Sequence, residues 1–153
     1  MGNTAEKQDA QTAYKKVAIL LEDSLLNRRI IATIVEKLGF EVLEGMNGKE
    51  GLETLNKLLD ESKKVDLFIS DIMMPEMDGF QFLEKVRTQS TLDDVPFVFV
   101  TALANKDDIQ RAQDLKASGY VLKPIVANQL INKIVTLFPD LAGVAKKLLE
   151  SGV

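Results

Sequence analysis

From Val65 to Ile72 the chain carries an almost uninterrupted apolar run, Val65-Asp66-Leu67-Phe68-Ile69-Ser70-Asp71-Ile72, with one acid at its end and Met73-Met74-Pro75 behind it. A run this short and this apolar reads as a strand covered on both faces, and so as a strand at the centre of a parallel sheet. A carboxylate is costly to bury alone. Asp71 therefore belongs at an exposed strand end or beside a neutralising group. Taken alone it reads as a turn cap before Pro75, unless other charged groups gather at the same place.

Four more apolar runs alternate with helical patterns. Val17 to Leu21 is a first buried strand that ends in Glu22-Asp23. Ser24 can cap the following helix, whose stripe is Leu26, Ile30, Ile31, Ile34, Val35 and Leu38, with Gly39 as its stop. Phe40 to Leu43 reads as a short strand, and Asn47 with Glu50 as a helix start. The helix behind it buries Leu52, Leu55, Leu58 and Leu59. Pro75 to Gly79 is a turn, followed by a helix with Phe80, Leu83 and Val86. Phe97 to Val100 is a strand ending at Thr101-Ala102, and Asn105 opens a helix with the thin stripe Ile109, Ala112, Leu115. Tyr120 to Leu122 is a fifth strand, ending at Lys123-Pro124. A helix through Val126, Leu130, Ile131, Ile134, Val135 and Phe138 follows, and Leu141, Val144, Leu148 and Leu149 suggest one more.

Strands alternating with helices make an α/β fold with a parallel sheet and helices on both faces. In such sheets the site lies at the carboxyl ends of the strands. Those ends carry Glu22 and Asp23, Asp71, Thr101 and Lys123. Each has a bland reading as a solvated turn or helix cap, but four strands ending in related chemistry argue for one shared rim. Composition removes the alternatives. With no cysteine and no histidine, thiolate nucleophiles, zinc–thiolate sites and Ser-His hydrolysis are excluded. A net charge of −4 argues against nucleic acid as a direct partner. No apolar run is long enough to cross a membrane, which points to a cytoplasmic chain. Three carboxylates at one rim repel. A hard divalent cation relieves this and leaves positions open for phosphate oxygens. With a lysine and a hydroxyl added, the rim suits phosphoryl transfer to a carboxylate.

Glu22-Asp23, Asp71-Ile72-Met73-Met74-Pro75-x-Met77-Asp78-Gly79, Thr101-Ala102 and Tyr120-x-x-Lys123-Pro124 together resemble the receiver domain of two-component response regulators, the CheY-like family. The resemblance covers residues 16–138. It implies a flavodoxin-like sheet of strand order 2-1-3-4-5, the order for which receiver proteins are the standard illustration. It implies Asp71 as the phosphoacceptor, labelled by a phosphohistidine on a sensor histidine kinase or a histidine phosphotransfer domain. It implies Mg²⁺ (or Mn²⁺) held by Asp23, Asp71 and the backbone carbonyl of Met73, with Glu22 direct or through water. Thr101, Ala102 and Lys123 would bind the phosphoryl oxygens. Thr101 and Tyr120 would form the switch that alters the α4-β5-α5 surface read by a downstream protein. Lys123-Pro124 matches a peptide that is cis in the family. Met73 and Leu103 would flank the path of hydrolytic water, and neither can hold a water, so the phosphorylated form is expected to be long-lived. Such a chain catalyses its own phosphorylation and slow dephosphorylation but is first a signalling switch, acting without direct nucleic-acid or membrane contact.

Some residues depart from the family's commoner pattern. Lys116 stands where a glycine is frequent, which leaves the shape of that loop open. Asn27 followed by Arg28 is similar to receivers of hybrid kinases, which keeps open a receiver segment of a hybrid sensor kinase relaying phosphate to a histidine phosphotransfer domain. An aspartyl-phosphate hydrolase would want an acid at position 73, and a pure interaction module would lack Asp71 or Lys123. The expected organisation is a flexible leader over 1–15, the receiver over 16–138, and an extra C-terminal helix or linker over 139–153.

Overall fold

The structure is a computed structural model and describes residues 15–152. The leader expected over 1–15 falls, but for Lys15, outside them. Five strands, β1 (Val17–Leu21), β2 (Glu41–Gly45), β3 (Leu67–Ser70), β4 (Phe97–Thr101) and β5 (Gly119–Leu122), form one parallel sheet in the order β2-β1-β3-β4-β5. The intervening helices are α1 (Leu25–Lys37), α2 (Gly48–Asp60), α3 (Gly79–Arg87), α4 (Lys106–Asp114) and α5 (Ala127–Leu137). The extra helix is present as α6 (Ala142–Ser151). No helix among the described residues is long and apolar enough to cross a membrane.

The period of two along each strand sorts side chains between two cores. Ala18, Leu20, Ile69, Val98 and Val100 face one side, where Ile31, Val35, Leu130 and Ile134 of α1 and α5 cover them and Ala145 of α6 closes the cluster. Ile19, Leu21, Phe68, Phe97 and Phe99 face the other, against Leu55 of α2, Phe82 and Leu83 of α3 and Ala112 of α4. This second core is aromatic: Phe68 stacks on Phe97 at 5.7 Å between centroids, and Phe99 meets Phe80 edge-on at 5.4 Å.

The helix starts are chemically determined. Ser24, Asn47, Asp78 and Asn105 each accept a hydrogen bond from a first-turn backbone N–H. Asp78 and Gln81 form a full capping box, a pattern legible in the sequence but passed over in the turn reading. At the end of α4, Lys116 takes the left-handed conformation (φ 67°) that the missing glycine would have supplied. Its carbonyl accepts from Arg87 Nη2 at 2.9 Å, which holds the turn against that strain.

Two apolar stripes differ from expectation. On α1, the expected Ile31, Ile34, Val35 and Leu38 are buried and Ala32 joins them, but Leu26 and Ile30 are exposed, and Leu25 with them. On α6, Val144 and Leu149 are exposed, and Ala145 makes the buried contact. Both helices are apolar around more of their circumference than the core can cover, so spacing alone did not select the buried face.

Gly79 opens α3 against the backbone that follows β3. Its N–H bonds Ile72 O at 2.8 Å, and a Cβ there would collide with the backbone carbonyl of Asp71. Gly79→Ala is expected to destabilise the fold by about 3 kcal/mol in urea unfolding, because rigid backbone must move to admit one methyl. A loss below half a kcal/mol would show that the Asp71 turn yields freely.

Candidate functional site

The reversal of strand order places the site. The chain leaves β1 for β2 on one side and returns for β3 on the other, so the connections that follow β1 and β3 diverge above their paired carboxyl ends and leave a crevice there. Leu21 pairs with Ser70, so Glu22 and Asp71 emerge side by side. The Asp71 N–H bonds Leu21 O at 3.0 Å, and the Glu22 N–H bonds Gly45 O at 3.0 Å. On the other flank, Thr101 pairs with Leu122, and the Lys123 N–H bonds Thr101 O at 2.8 Å. The Lys123–Pro124 peptide is cis.

Glu22, Asp23 and Asp71 come together, each offering a carboxylate oxygen within 4.8 Å of the others. Glu22 is 1% exposed and Asp71 7%, while Asp23 is exposed. The Lys123 ammonium lies between the two buried acids. It donates to Asp71 Oδ2 at 2.6 Å and to Glu22 Oε1 at 2.5 Å. Asp71 Oδ1 accepts from the Ile72 N–H at 2.6 Å. Burial pushes the Glu22 carboxyl above the usual range, opposed by the Lys123 hydrogen bond and reinforced by the charge of Asp71. Burial alone would lower Lys123, but its hydrogen bonds to Asp71 and Glu22 outweigh that and raise it.

Glu22 Oε2 is buried and has no hydrogen-bond partner. A desolvated carboxylate oxygen without a donor is costly, and beside two further carboxylates it suits a hard cation. The three acids could therefore hold a metal ion, with an oxygen-only donor set of the kind Mg²⁺ or Mn²⁺ takes. A shallow cleft of about 460 Å³ adjoins them, lined by Asp23, Ile72, Met73, Met74, Pro75 and Asp78. A larger hollow of about 810 Å³, which includes Lys15, Val17 and Asp66, lies at the amino ends of β1 and β3, away from these carboxylates.

Thr101 is buried at the end of β4, and Ala102 beside it is exposed. The Leu103 backbone links two of the sequence-selected residues: its N–H donates to Thr101 Oγ1 at 3.3 Å, and its carbonyl accepts from the Tyr120 hydroxyl at 2.7 Å. Burial, with the charges of Asp108 and Asp71, raises the Tyr120 phenol. The Tyr120 ring meets Phe99 edge-on at 6.2 Å. Met73 stands in solvent, whereas Leu103 packs into the aromatic core. Two contacts were not foreseen from the sequence: that of Gly79, which abuts the Asp71 backbone, and that of Arg28, whose guanidinium Nη1 bonds Glu22 O at 2.8 Å. An arginine one turn behind an acidic pair was the available signal for the second.

Residues 18–135 match the response regulator receiver domain family. The chain is 34% identical over 108 residues to the sensor histidine kinase CheAY of Helicobacter pylori, covering 71% of this chain and 13% of that protein. It is 29% identical over 122 residues to the chemotaxis protein CheV3 of the same organism, covering 76% and 39%. The chain thus spans well under half of either relative. Among solved structures, chemotaxis response regulator CheY4 of Vibrio cholerae superposes with a TM-score of 0.68 at 24% identity, over 84% of this chain and 99% of that one. That likeness is one of fold.

Lys123 is the counter-ion for two buried acids, and removing one member of such a group leaves uncompensated charge. Lys123→Met in metal-free buffer at neutral pH is expected to cost about 3 kcal/mol of stability, with Glu22→Gln in the same background recovering part of it. If the double variant is no more stable than Lys123→Met, the coupling across this bridge is absent.

Proposed function

The chain belongs to the response regulator receiver domain family, and from that premise we propose that Asp71 accepts a phosphoryl group from a phosphohistidine on a sensor histidine kinase or a histidine phosphotransfer domain. The observation that carries this is the Asp71 carboxylate at the end of the central strand, held by Lys123 and beside the unpartnered oxygen of Glu22. An Asp71 oxygen attacks phosphorus, the P–N bond breaks, and its electron pair returns to the imidazole of the donor, which takes up a proton. Glu22, Asp23, Asp71 and the Met73 carbonyl would hold Mg²⁺ or Mn²⁺, which when bound neutralises charge on the transferring group. Lys123 can release Glu22 and Asp71 and turn to the phosphoryl oxygens. The Thr101 hydroxyl and the Ala102 N–H supply further hydrogen bonds.

The proposed switch rests on the Leu103 backbone. A Thr101 hydroxyl drawn to the phosphoryl group gives up the Leu103 N–H, while Tyr120 holds the Leu103 carbonyl from the other side. Displacement of that segment would move the start of α4, whose one buried residue is Ala112. The surface formed by α4, β5 and α5 would carry the signal to a downstream protein. Leu25, Leu26, Ile30 and Met73 are exposed apolar side chains that would be available to a docking donor. The place of action is the cytoplasm, without direct nucleic-acid or membrane contact. A second reading, a receiver segment of a hybrid sensor kinase that relays phosphate onward, is favoured by the likeness to CheAY and by Asn27-Arg28.

Incubation with acetyl phosphate and Mg²⁺ should add one phosphoryl group by intact mass, and neither Asp71→Asn nor wild type in EDTA should be labelled. Hydrogen exchange on the labelled protein should change mainly within 101–123. Equal labelling of Asp71→Asn removes Asp71 from the role, and a change confined to α1 removes the proposed switch.

Loss of the phosphoryl group needs water in line with phosphorus, and positioning that water is a large share of the catalysis. The side chains of Met73 and Leu103 have no donor or acceptor strong enough to hold one, so the phosphorylated form should be long-lived. Met73→Asn and Leu103→Glu, singly and together, should shorten its lifetime severalfold. Lifetimes equal to wild type would place the control of hydrolysis elsewhere.

A further inference from the structure

Arg28 lies in the first turn of α1 and does not point outward from the helix. Its Nη1 donates to Glu22 O at 2.8 Å, and its Nε faces Glu44 Oε1 of β2 at 3.4 Å. The other oxygen of Glu44 holds Arg29 Nη1 at 3.0 Å. Only 14% of the Arg28 side chain is exposed, so these contacts are largely withdrawn from screening water.

The turn Glu22-Asp23-Ser24 is thus tied on both sides. The Glu22 N–H is fixed by Gly45 O on β2, the Glu22 carbonyl by Arg28, and the Ser24 carbonyl by the Arg28 N–H at 2.9 Å. The peptide that Arg28 holds is the one joining the two acidic residues. Its rotation would swing Asp23 away from Glu22 and Asp71. A small divalent cation tolerates little ligand misplacement. The two cations beside the cluster therefore act differently. Lys123 bonds the carboxylate oxygens themselves. Arg28 bonds a backbone carbonyl, and Glu44 offsets its charge, so it holds the turn without occupying a ligand oxygen.

We infer that Arg28, braced by Glu44, is a positioning residue of the metal site, orienting the Glu22–Asp23 turn so that both carboxylates face Asp71. This rests on the reading of the acidic cluster as the site of a divalent cation.

The sign of the effect separates positioning from charge. Deleting a cation near a Mg²⁺ site tightens binding by electrostatics alone, whereas losing the turn's orientation weakens it. A purely structural role lowers stability and leaves affinity unchanged. The experiment is isothermal titration of the metal-free protein with Mg²⁺, alongside urea unfolding in EDTA. Arg28→Met keeps the aliphatic stem and removes the donors; its Kd should rise about tenfold, the low end of what supporting partners of metal ligands contribute. Arg28→Lys keeps charge and stem but can satisfy one of the two partners, and its Kd should rise about threefold. A Kd for Arg28→Met equal to or below wild type overturns the inference. Should that variant fail to fold, the lysine variant decides alone, and a wild-type Kd overturns it. If wild type takes up no Mg²⁺, or Asp23→Ala binds as wild type does, the metal-site reading fails and this inference falls with it.

Discussion

Carboxylates crowded at one end of a sheet repel, and two of the three here, on Glu22 and Asp71, are withdrawn from water. The Lys123 ammonium that bridges them makes this arrangement tolerable. Much of the surrounding structure serves to bring that one cation to those two oxygens. The sheet register sets Glu22 beside Asp71, and the pairing of Thr101 with Leu122 delivers Lys123 from the far side of β4. The bridge leaves one Glu22 oxygen unsatisfied, so the site is compact without being electrostatically complete. A cation and a phosphoryl group would supply what is missing, because they bring positive charge to the acids and new acceptors to the lysine.

The aromatic core beneath the site couples it to its surroundings. Phe99 touches Phe80 at the start of α3, Phe97, and Tyr120 on β5. Arg111 of α4 lays its guanidinium 4.4 Å from the Phe80 ring centroid and approaches Glu84 at 3.8 Å, tying α4 to α3 from outside. Packed rings interlock and do not deform smoothly. In the proposed switch, a shift of the Leu103 backbone would therefore be resisted by the core and expressed on the less buried side, in α4. The other face differs in character. Its aliphatic cluster is closed at one end by Ala145 of α6 and by Phe40 edge-on to Phe138, and the Lys16–Asp140 ion pair fastens the chain before α6 to the start of β1. One face is thus fastened at its margin, and the other carries Tyr120 and Leu103, on which the proposed switch rests.

Local pattern in the amino-acid sequence determined the class of fold. Apolar runs of strand length, capping residues such as Ser24 and Asn105, and the alternation of the two define an α/β sheet, because hydrogen-bond periodicity and capping are encoded within a few residues. It also determined which residues stand at the strand ends, so Glu22, Asp23, Asp71, Thr101 and Lys123 could be named from chain order alone. Only the tertiary structure decided which groups touch. Lys123 meets Glu22 across 101 positions and Asp71 across 52, and no local pattern carries a contact of that range. The grip of Arg28 on Glu22, only 6 positions away, and the approach of Gly79 to Asp71 are shorter in range, but they depend on how each turn folds back on itself, which residue type alone does not state. Local pattern also left open which face of α1 and α6 is buried: Leu26 and Val144 fit the helical stripe as well as Ile31 and Ala145 do, and the space left by neighbouring helices chose between them. Periodicity shows that a helix has an apolar side; the surface that covers it is made by the rest of the chain.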